Sequence, residues 1–252
     1  MTTPKLHKTT GSHFYRYSSA EHAEWLKTII IDHELYIPSV KELNDPADGR
    51  PRLASMSEDK MVSFLLKNLI KREPWLSVQT LEKELVTVRH NIRKYGTQWS
   101  LREMTRLLNT HMEEFRIYSL SKRFDNLSLW AKYAAGSSGY CLEFASEGPL
   151  FKQAVEVIYR KCRPVDINDP KAFFLAYKAP EWSNEEEVRL IAPRGSSSKI
   201  KIDPRWLTRL ILGTQMSNAN EKMIREWAKQ RQPELTVAKA YFDELRQQLR
   251  LR

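Results

Sequence analysis

The sequence predicts an α+β fold, in which a largely antiparallel sheet forms the core and a block of helices is inserted into it. Strand-like segments are scattered along the chain from residue 13 to residue 243, whereas helical patterns are concentrated between residues 56 and 113. This distribution is typical of α+β domains and differs from regular βαβ sheets, in which strands and helices alternate.

The composition is that of one globular domain. Of the 252 residues, 41% are hydrophobic and 29% are charged, and with only 8 glycines the chain has no long flexible linker. We therefore predict a single domain over residues 1–252. Its core comprises residues 12–55 and 114–243, residues 56–113 form a helical insertion, and residues 244–252 form a basic tail.

The first half of the chain predicts two strands followed by helices. Residues 13–18 are aromatic-rich and predict a first strand, and Ser19 is a candidate N-cap for the next helix because its hydroxyl can accept a free backbone N–H. Residues 33–38 predict a second strand, and the polar segment after it predicts a loop. Helical periodicity then begins with Met61, Phe64, Leu65 and Leu69, which share one face.

The second half predicts mainly strands, at 115–121, 139–145, 154–160, 185–192, 209–213 and 235–243. Residues 194–202 predict a loop that leads to a further strand. Helices are expected at 125–135 with Asp125 as the N-cap, at 171–179, and at 217–231 with Ser217 as the N-cap.

Several kinds of site are excluded. The six histidines form no HExxH or HxH motif, the two cysteines form no CxxC pair, and no glycine-rich phosphate loop occurs. The low cysteine content fits a reducing compartment, and the sequence shows neither a signal-like N-terminus nor an apolar run of 18 residues. We therefore expect a cytoplasmic protein with no metal and no membrane partner.

The basic charge is concentrated near the C-terminus. The chain carries 41 Lys+Arg and 31 Asp+Glu, a net charge of +10. Residues 199–252 hold 12 basic and 6 acidic residues, a net +6, whereas residues 1–55 hold 7 of each. Such a segment attracts nucleic acid or other polyanions, and the alternative is an ordinary solvated basic surface.

Two strand segments carry polar residues suited to ligand binding. On the first strand, Tyr15 and Tyr17 share one face and Arg16 points to the other. An arginine facing a cleft is a natural clamp for phosphate, and the alternative is an edge-strand arginine paired with a surface acid. On a middle strand, Ser119 and Ser121 share a face, where their hydroxyls would orient a ribose or a carboxylate unless they are simply exposed serines.

A third segment contains three consecutive glutamates, of which Glu185 and Glu187 share a strand face. Glutamate is unfavourable in strands, and neighbouring carboxylates repel each other. A sequence that is locally unfavourable for its predicted strand is expected at positions where function requires those residues. The alternative is a charged edge that prevents sheet aggregation.

The order of these motifs resembles an uncharacterised prokaryotic family of unknown function. That family often shows a Y-K/R-Y strand, an N-D-P-F-D loop, an S-F-S strand, an M-W-x-x-Y-A helix and a W-x-x-E-x-E-x-R strand. The corresponding segments here are 15–17, 44–46, 119–121, 129–133 and 182–189, with a G-Y-C-L-E-F segment at 139–144. Two positions depart from the pattern, with Ala47 and Leu129 in place of phenylalanine and methionine.

The layout of that family is similar to the ADP-ribosyltransferase superfamily, which implies a split sheet core. The superfamily places an Arg or His on the first core strand, a Ser-x-Ser on a middle strand and a Glu-x-Glu on a late strand. By this resemblance Arg16 would clamp the pyrophosphate of NAD. Ser119 and Ser121 would hold Glu187 and the ribose on the nicotinamide side.

The same resemblance implies roles for the acidic and aromatic residues. Glu187 would bind a ribose hydroxyl and stabilise the oxocarbenium-like transition state, and Glu185 would activate the acceptor as a general base. Tyr15 or Tyr17 would stack on nicotinamide, with core packing as the alternative. Asn44 and Asp45 would line the cleft, with a self-bonded turn as the alternative. Trp130 and Tyr133, at i and i+3 on a helix, are expected in the core.

The resemblance thus implies an NAD-dependent ADP-ribosyltransferase-like effector, such as a toxin or a phage-defence factor, with a nucleic acid or protein acceptor. Two alternatives remain open. One is a non-catalytic module on the same fold that binds nucleic acid or a partner, and the other is a nucleotide-sensing domain without turnover.

Overall fold

The computed structural model describes residues 12–21, 23–161 and 175–252. The described helices are α1 (Ala23–Ile31), α2 (Glu58–Arg72), α3 (Val78–Tyr95), α4 (Thr97–Met112), α5 (Leu127–Tyr133) and α6 (Asn218–Gln230). The described strands are β1 (His13–Ser18), β2 (Glu34–Tyr36), β3 (Arg116–Ser121), β4 (Tyr140–Ala145), β5 (Val155–Glu156), β6 (Ile158–Tyr159), β7 (Tyr177–Lys178), β8 (Glu187–Ala192), β9 (Lys199–Lys201), β10 (Leu207–Leu212), β11 (Thr236–Asp243) and β12 (Gln248–Leu251).

A mixed sheet of eight strands, in the order β12-β11-β10-β4-β1-β3-β8-β5, forms the centre of the fold. Among its described pairings, only β10 and β11 run parallel. Parallel neighbours need a crossover connection, and here α6 supplies it. The pairs β2–β9 and β6–β7 form two small sheets. The predicted α+β class and the predominance of antiparallel pairing are confirmed.

The large sheet is nearly divided between β1 and β3. β1 pairs with β4 at every position from His13 to Ser18, and β3 pairs with β8 along its whole length. β1 and β3, by contrast, share the single pair Tyr15–Ser121. Two well-paired halves therefore meet at one point, and the chain from Arg16 onward has no ladder partner on β3.

Apolar side chains alternate between the two faces of the sheet. One face packs Phe14, Leu142 and Leu210 against α1 and α6, and the other packs Tyr17, Cys141 and Ile211 against α5. This alternation follows from the period-2 geometry of strands. Both faces of the central strands are therefore buried.

The helices α2, α3 and α4 form a lobe with its own apolar cluster, which includes Met61, Ile92 and Met104. The side chains of Ser57 and Ser77 accept backbone N–H groups and cap α2 and α3. The predicted helical character of residues 56–113 is confirmed. None of the helices in the described ranges combines the length and the apolar character needed to cross a membrane.

Several predicted boundaries were wrong. The N-cap of α5 is Asn126, which accepts N–H groups of the first turn, and not Asp125. Ser19 accepts the N–H of Glu21 in the turn before α1 and is not the N-cap of that helix. The predicted strand at 154–160 is two short strands, β5 and β6, which pair with different neighbours.

Three segments have a different structure from the one predicted. Of the predicted helix at 171–179, residues 171–174 lie outside the described residues, and Tyr177–Lys178 is a strand that pairs with β6. The predicted basic tail contains β12, which pairs with β11 and buries Leu249. The predicted strand at 185–192 begins at Glu187, because Glu185 ends a 3₁₀ turn.

Candidate functional site

A cleft opens where β1 and β3 separate. Its cavity volume is about 250 Å³, slightly below the roughly 300–1,000 Å³ that is typical of ligand pockets. β1, the loop at 38–48, β3, α5 and the segment 178–187 line it. The structure brings every predicted site residue to this cleft: Tyr15, Arg16, Tyr17, Asn44, Asp45, Ser119, Ser121, Glu185 and Glu187.

Arg16 reaches across the break in the sheet. Its Nη1 donates to the carbonyl of Ser119 at 2.9 Å, and its guanidinium carbon lies 5.1 Å from the centroid of the Tyr118 ring. Within the described part of the chain, Arg16 forms no ion pair with a carboxylate. β1 is also a central strand. The alternative of an edge-strand arginine paired with a surface acid was therefore wrong, and most of the guanidinium donors are free for a ligand.

A chain of five buried ionisable side chains with alternating charge forms part of the cleft wall. In the order in which they contact one another, they are Asp48, Arg189, Glu187, Lys178 and Glu185. Each side chain is buried, with at most 8% of its residue exposed. The guanidinium of Arg189 donates to both oxygens of Asp48, at 2.8 and 2.5 Å, and its Nε donates to Glu187 Oε1 at 2.7 Å. Lys178 Nζ then donates to Glu187 at 2.8 Å and to Glu185 at 2.6 Å.

The pairing keeps Glu187 and Lys178 ionised despite their burial, whereas burial raises the pKa of Asp48 although Arg189 opposes it. Burial favours the neutral form of Glu187, but Arg189 and Lys178 outweigh it and hold the pKa of Glu187 at about 2. Burial lowers the pKa of Lys178, and its two carboxylate partners more than offset this, so the pKa is raised. The predicted alternative of an exposed charged edge is wrong for Glu187, because its carboxylate is buried.

The outer end of the chain meets α5. Glu185 Oε1 accepts the phenol hydrogen of Tyr133 at 2.9 Å and lies 3.4 Å from Lys132 Nζ. Lys132 Nζ also lies 3.2 Å from the centroid of the Trp182 ring, in a cation–π contact. Burial and the Glu185 charge raise the pKa of Tyr133, so its phenol stays a donor.

A tight bend, and not a shared strand face, brings Glu185 and Glu187 together. Residues Pro180–Glu185 form a 3₁₀ turn, and Glu186 takes a left-handed conformation with φ of 45°. Ser121 Oγ donates to the Glu185 carbonyl at 2.9 Å. The N–H of Glu187 donates to Tyr159 Oη at 2.7 Å. These two bonds hold the bend, so that both carboxylates face Lys178.

The predicted role of the serines is only partly met. Ser121 holds the backbone of Glu185, and neither its hydroxyl nor that of Ser119 bonds the Glu187 carboxylate in the described structure. Ser121 is also buried, so the alternative of an exposed serine was wrong for it. Ser119 lines the cleft and offers its carbonyl to Arg16.

The two tyrosines pack against other aromatic side chains, as the alternative of core packing predicted. Tyr17 is buried, donates to the Arg123 carbonyl at 2.7 Å and packs edge-on against Trp130, so core packing is its role. Tyr15 packs against Phe124, and burial together with Glu143 raises its pKa to about 12. Stacking of either ring on a ligand is therefore not favoured.

Asp45 and Asn44 both line the cleft. Asp45 Oδ1 accepts the N–H of Ala47 at 2.9 Å, so it bonds its own turn as the alternative predicted. Asn44 has no such bond among the described residues, and its amide is available to a ligand.

Sequence reasoning missed four residues of the site: Asp48, Tyr133, Lys178 and Trp182. Tyr133 was expected in the core and instead donates to Glu185 in the cleft. Signals for the others were present, because Asp48 occupies the last position of the N-D-P-x-D pattern and Lys178 and Trp182 precede the glutamates in the motif. Within the described residues, no group of three or more His, Cys, Asp or Glu side chains is arranged to hold a metal ion.

Comparisons with protein-family models, with curated proteins and with solved structures gave no match.

Proposed function

We propose that this protein is an NAD-dependent ADP-ribosyltransferase-like enzyme, and that its reaction takes place in the cleft between β1 and β3. One observation carries the proposal. At the break in the sheet, Arg16 without an acidic partner faces the same cleft as the buried carboxylates Glu185 and Glu187. The arginine suits a diphosphate, and the carboxylates suit the positive charge that develops when nicotinamide leaves.

The remaining walls support a dinucleotide substrate. The cleft combines the guanidinium of Arg16 with hydroxyl and amide groups from Ser119 and Asn44, which suit ribose hydroxyls. Trp182 also lines the cleft, where Lys132 covers one face of its ring.

The proposed reaction transfers ADP-ribose from NAD to an acceptor. The bond between ribose C1′ and the nicotinamide nitrogen breaks, and its electron pair leaves with neutral nicotinamide. A lone pair of the acceptor then forms the new bond to C1′, and the acceptor proton passes to a carboxylate of the cleft. A carboxylate held in place before the reaction stabilises the cationic transition state without reorganisation.

The acceptor class is proposed more broadly, as a protein or a nucleic acid. The basic C-terminal quarter suits a polyanion. However, at least seven of its 12 basic side chains have acidic partners, as Lys239 and Arg225 do with Glu221, so its field is weaker than the formal charge indicates. Both acceptor classes therefore belong in the test.

The test is nicotinamide release from NAD, followed by chromatography, with cell lysate or total RNA as the acceptor source. We expect release by the wild type and a strong loss in Arg16→Gln, because the diphosphate would lose its cation. Arg205→Gln is the matched control, since Arg205 pairs with Asp203 outside the cleft. If the wild type releases no more nicotinamide than a buffer blank with either acceptor source, the proposed function is wrong.

A further inference from the structure

The buried chain of charges is not balanced. Asp48, Arg189, Glu187 and Lys178 contribute two negative and two positive charges, which cancel. Glu185, the fifth member, leaves the chain with one net negative charge, and Glu185 is the end that contacts α5. The nearest additional cation in the described structure is Lys132, at 3.4 Å. Because its side chain is 37% exposed, water screens its charge.

The two glutamates also differ in how fully the protein satisfies them. Glu187 accepts from three donor atoms on two charged side chains: Arg189 Nε at 2.7 Å, Arg189 Nη2 at 3.1 Å and Lys178 Nζ at 2.8 Å. At comparable distances, Glu185 accepts from one charged donor, Lys178, and from the neutral phenol of Tyr133. The negative charge of Glu187 is thus neutralised by neighbouring cations of the protein, whereas the negative charge of Glu185 is neutralised less completely.

Their positions agree with this difference. Glu187 contacts the fully buried Arg189, whereas Glu185 ends the 3₁₀ turn that also carries Trp182, beside the partly exposed Lys132. Lys178 links the two carboxylates. Every member of the buried chain of charges except Arg189 lines the cleft, and Glu185 is the member at the end that contacts α5.

We propose that Glu185 is the catalytic carboxylate of the NAD reaction and that Glu187 is a positioning residue, which fixes Lys178 and, through it, Glu185. This inference rests on the proposed function. As the bond from C1′ to nicotinamide breaks and its electron pair leaves with nicotinamide, Glu185 faces the positive charge on the ribose. When the acceptor lone pair bonds to C1′, Glu185 accepts the acceptor proton. This assignment reverses the emphasis that the motif resemblance places on Glu187.

The test compares Glu185→Gln, Glu187→Gln and the control Glu186→Gln. Glu186 lies between the two, but its side chain is 42% exposed and pairs with Arg123 outside the cleft. For each variant, kcat and KM are measured by nicotinamide release across pH, at a temperature at which thermal unfolding curves show the variant to be folded. Glu186→Gln should match the wild type.

For Glu185→Gln, we expect kcat of the folded protein to fall by about a hundredfold or more, in the range lost with a general base. The acid limb of the kcat profile should also disappear from its residual activity. For Glu187→Gln, we expect a much lower unfolding midpoint, a smaller loss of kcat in the folded protein and an acid limb that persists. A residue with a merely structural role would not remove that limb.

Two results would overturn this inference without affecting the proposed function. The first is that the wild type releases nicotinamide and Glu185→Gln retains kcat within about threefold. The second is that folded Glu187→Gln loses both kcat and the acid limb, while Glu185→Gln keeps the acid limb. No release by the wild type would overturn the proposed function, and this inference with it. The wild-type measurement thus separates the two failures.

Discussion

The most direct test of the buried chain is to weaken its inner end by Asp48→Asn. The Asp48 carboxylate accepts two charge-assisted hydrogen bonds from Arg189, at 2.8 and 2.5 Å, and both side chains are almost fully buried. A hydrogen bond to a charged group contributes about 1.5–3 kcal/mol. The substitution removes the charge and at least one of these bonds, and it leaves Arg189 short of a partner in the interior.

The expected cost is therefore about 3–5 kcal/mol of the free energy of unfolding, which is the range for breaking a buried ion pair. That is a large part of the roughly 5–15 kcal/mol by which small domains are stable. The assay is equilibrium unfolding in urea, in which the midpoint should fall while the slope stays constant. The effect is this large because the pair is buried. At an exposed site, water would replace the lost hydrogen bonds.

Asp203→Asn is the matched control. Asp203 and Arg205 form a similar two-pronged pair at the protein surface, with Nε and Nη2 of the arginine on the two carboxylate oxygens. We expect this control to lower the midpoint far less than Asp48→Asn. Equal shifts for the two variants, or a loss below about 1 kcal/mol for Asp48→Asn, would refute the conclusion that burial makes the inner pair costly to break.

Three further predictions concern pH, ligand binding and helix capping. The pKa of Glu187 is lowered from 4.5 to about 2 on folding, so its contribution is present above pH 4.5 and is lost as the pH falls toward 2. Over that window the unfolding free energy of the wild type should fall by about 3 kcal/mol more than that of Glu187→Gln. Urea unfolding at a series of acidic pH values measures this difference, and parallel plots of unfolding free energy against pH for the two proteins would contradict it. Arg16→Gln should weaken NAD binding in calorimetry by about tenfold or more, which corresponds to the loss of a charge-assisted contact, whereas unchanged affinity would remove Arg16 from the binding site. Asn126→Ala should destabilise the protein by about 1 kcal/mol, because the side chain caps two N–H groups of α5, and a midpoint in urea equal to that of the wild type would show that this cap contributes nothing.

The sequence by itself determined the features that depend on local pattern. The 3.6-residue periodicity predicted the helical lobe, and alternation predicted the faces of β1 and β3, including the opposite directions of Arg16 and Tyr17. The ordered motifs also selected nine residues that all line one cleft. These signals are local because backbone geometry places neighbouring side chains in a fixed relation.

The tertiary structure alone decided how those residues meet. Asp48 and Arg189 are 141 positions apart, and only the folded chain shows that they pair and that Glu187 is therefore buried and ionised. The bend at Glu186 likewise depends on distant bonds, from Ser121 to the Glu185 carbonyl and from the Glu187 N–H to Tyr159. Strand propensity said nothing of these contacts, because they form when long loops close and side chains from separate elements replace water around each charge.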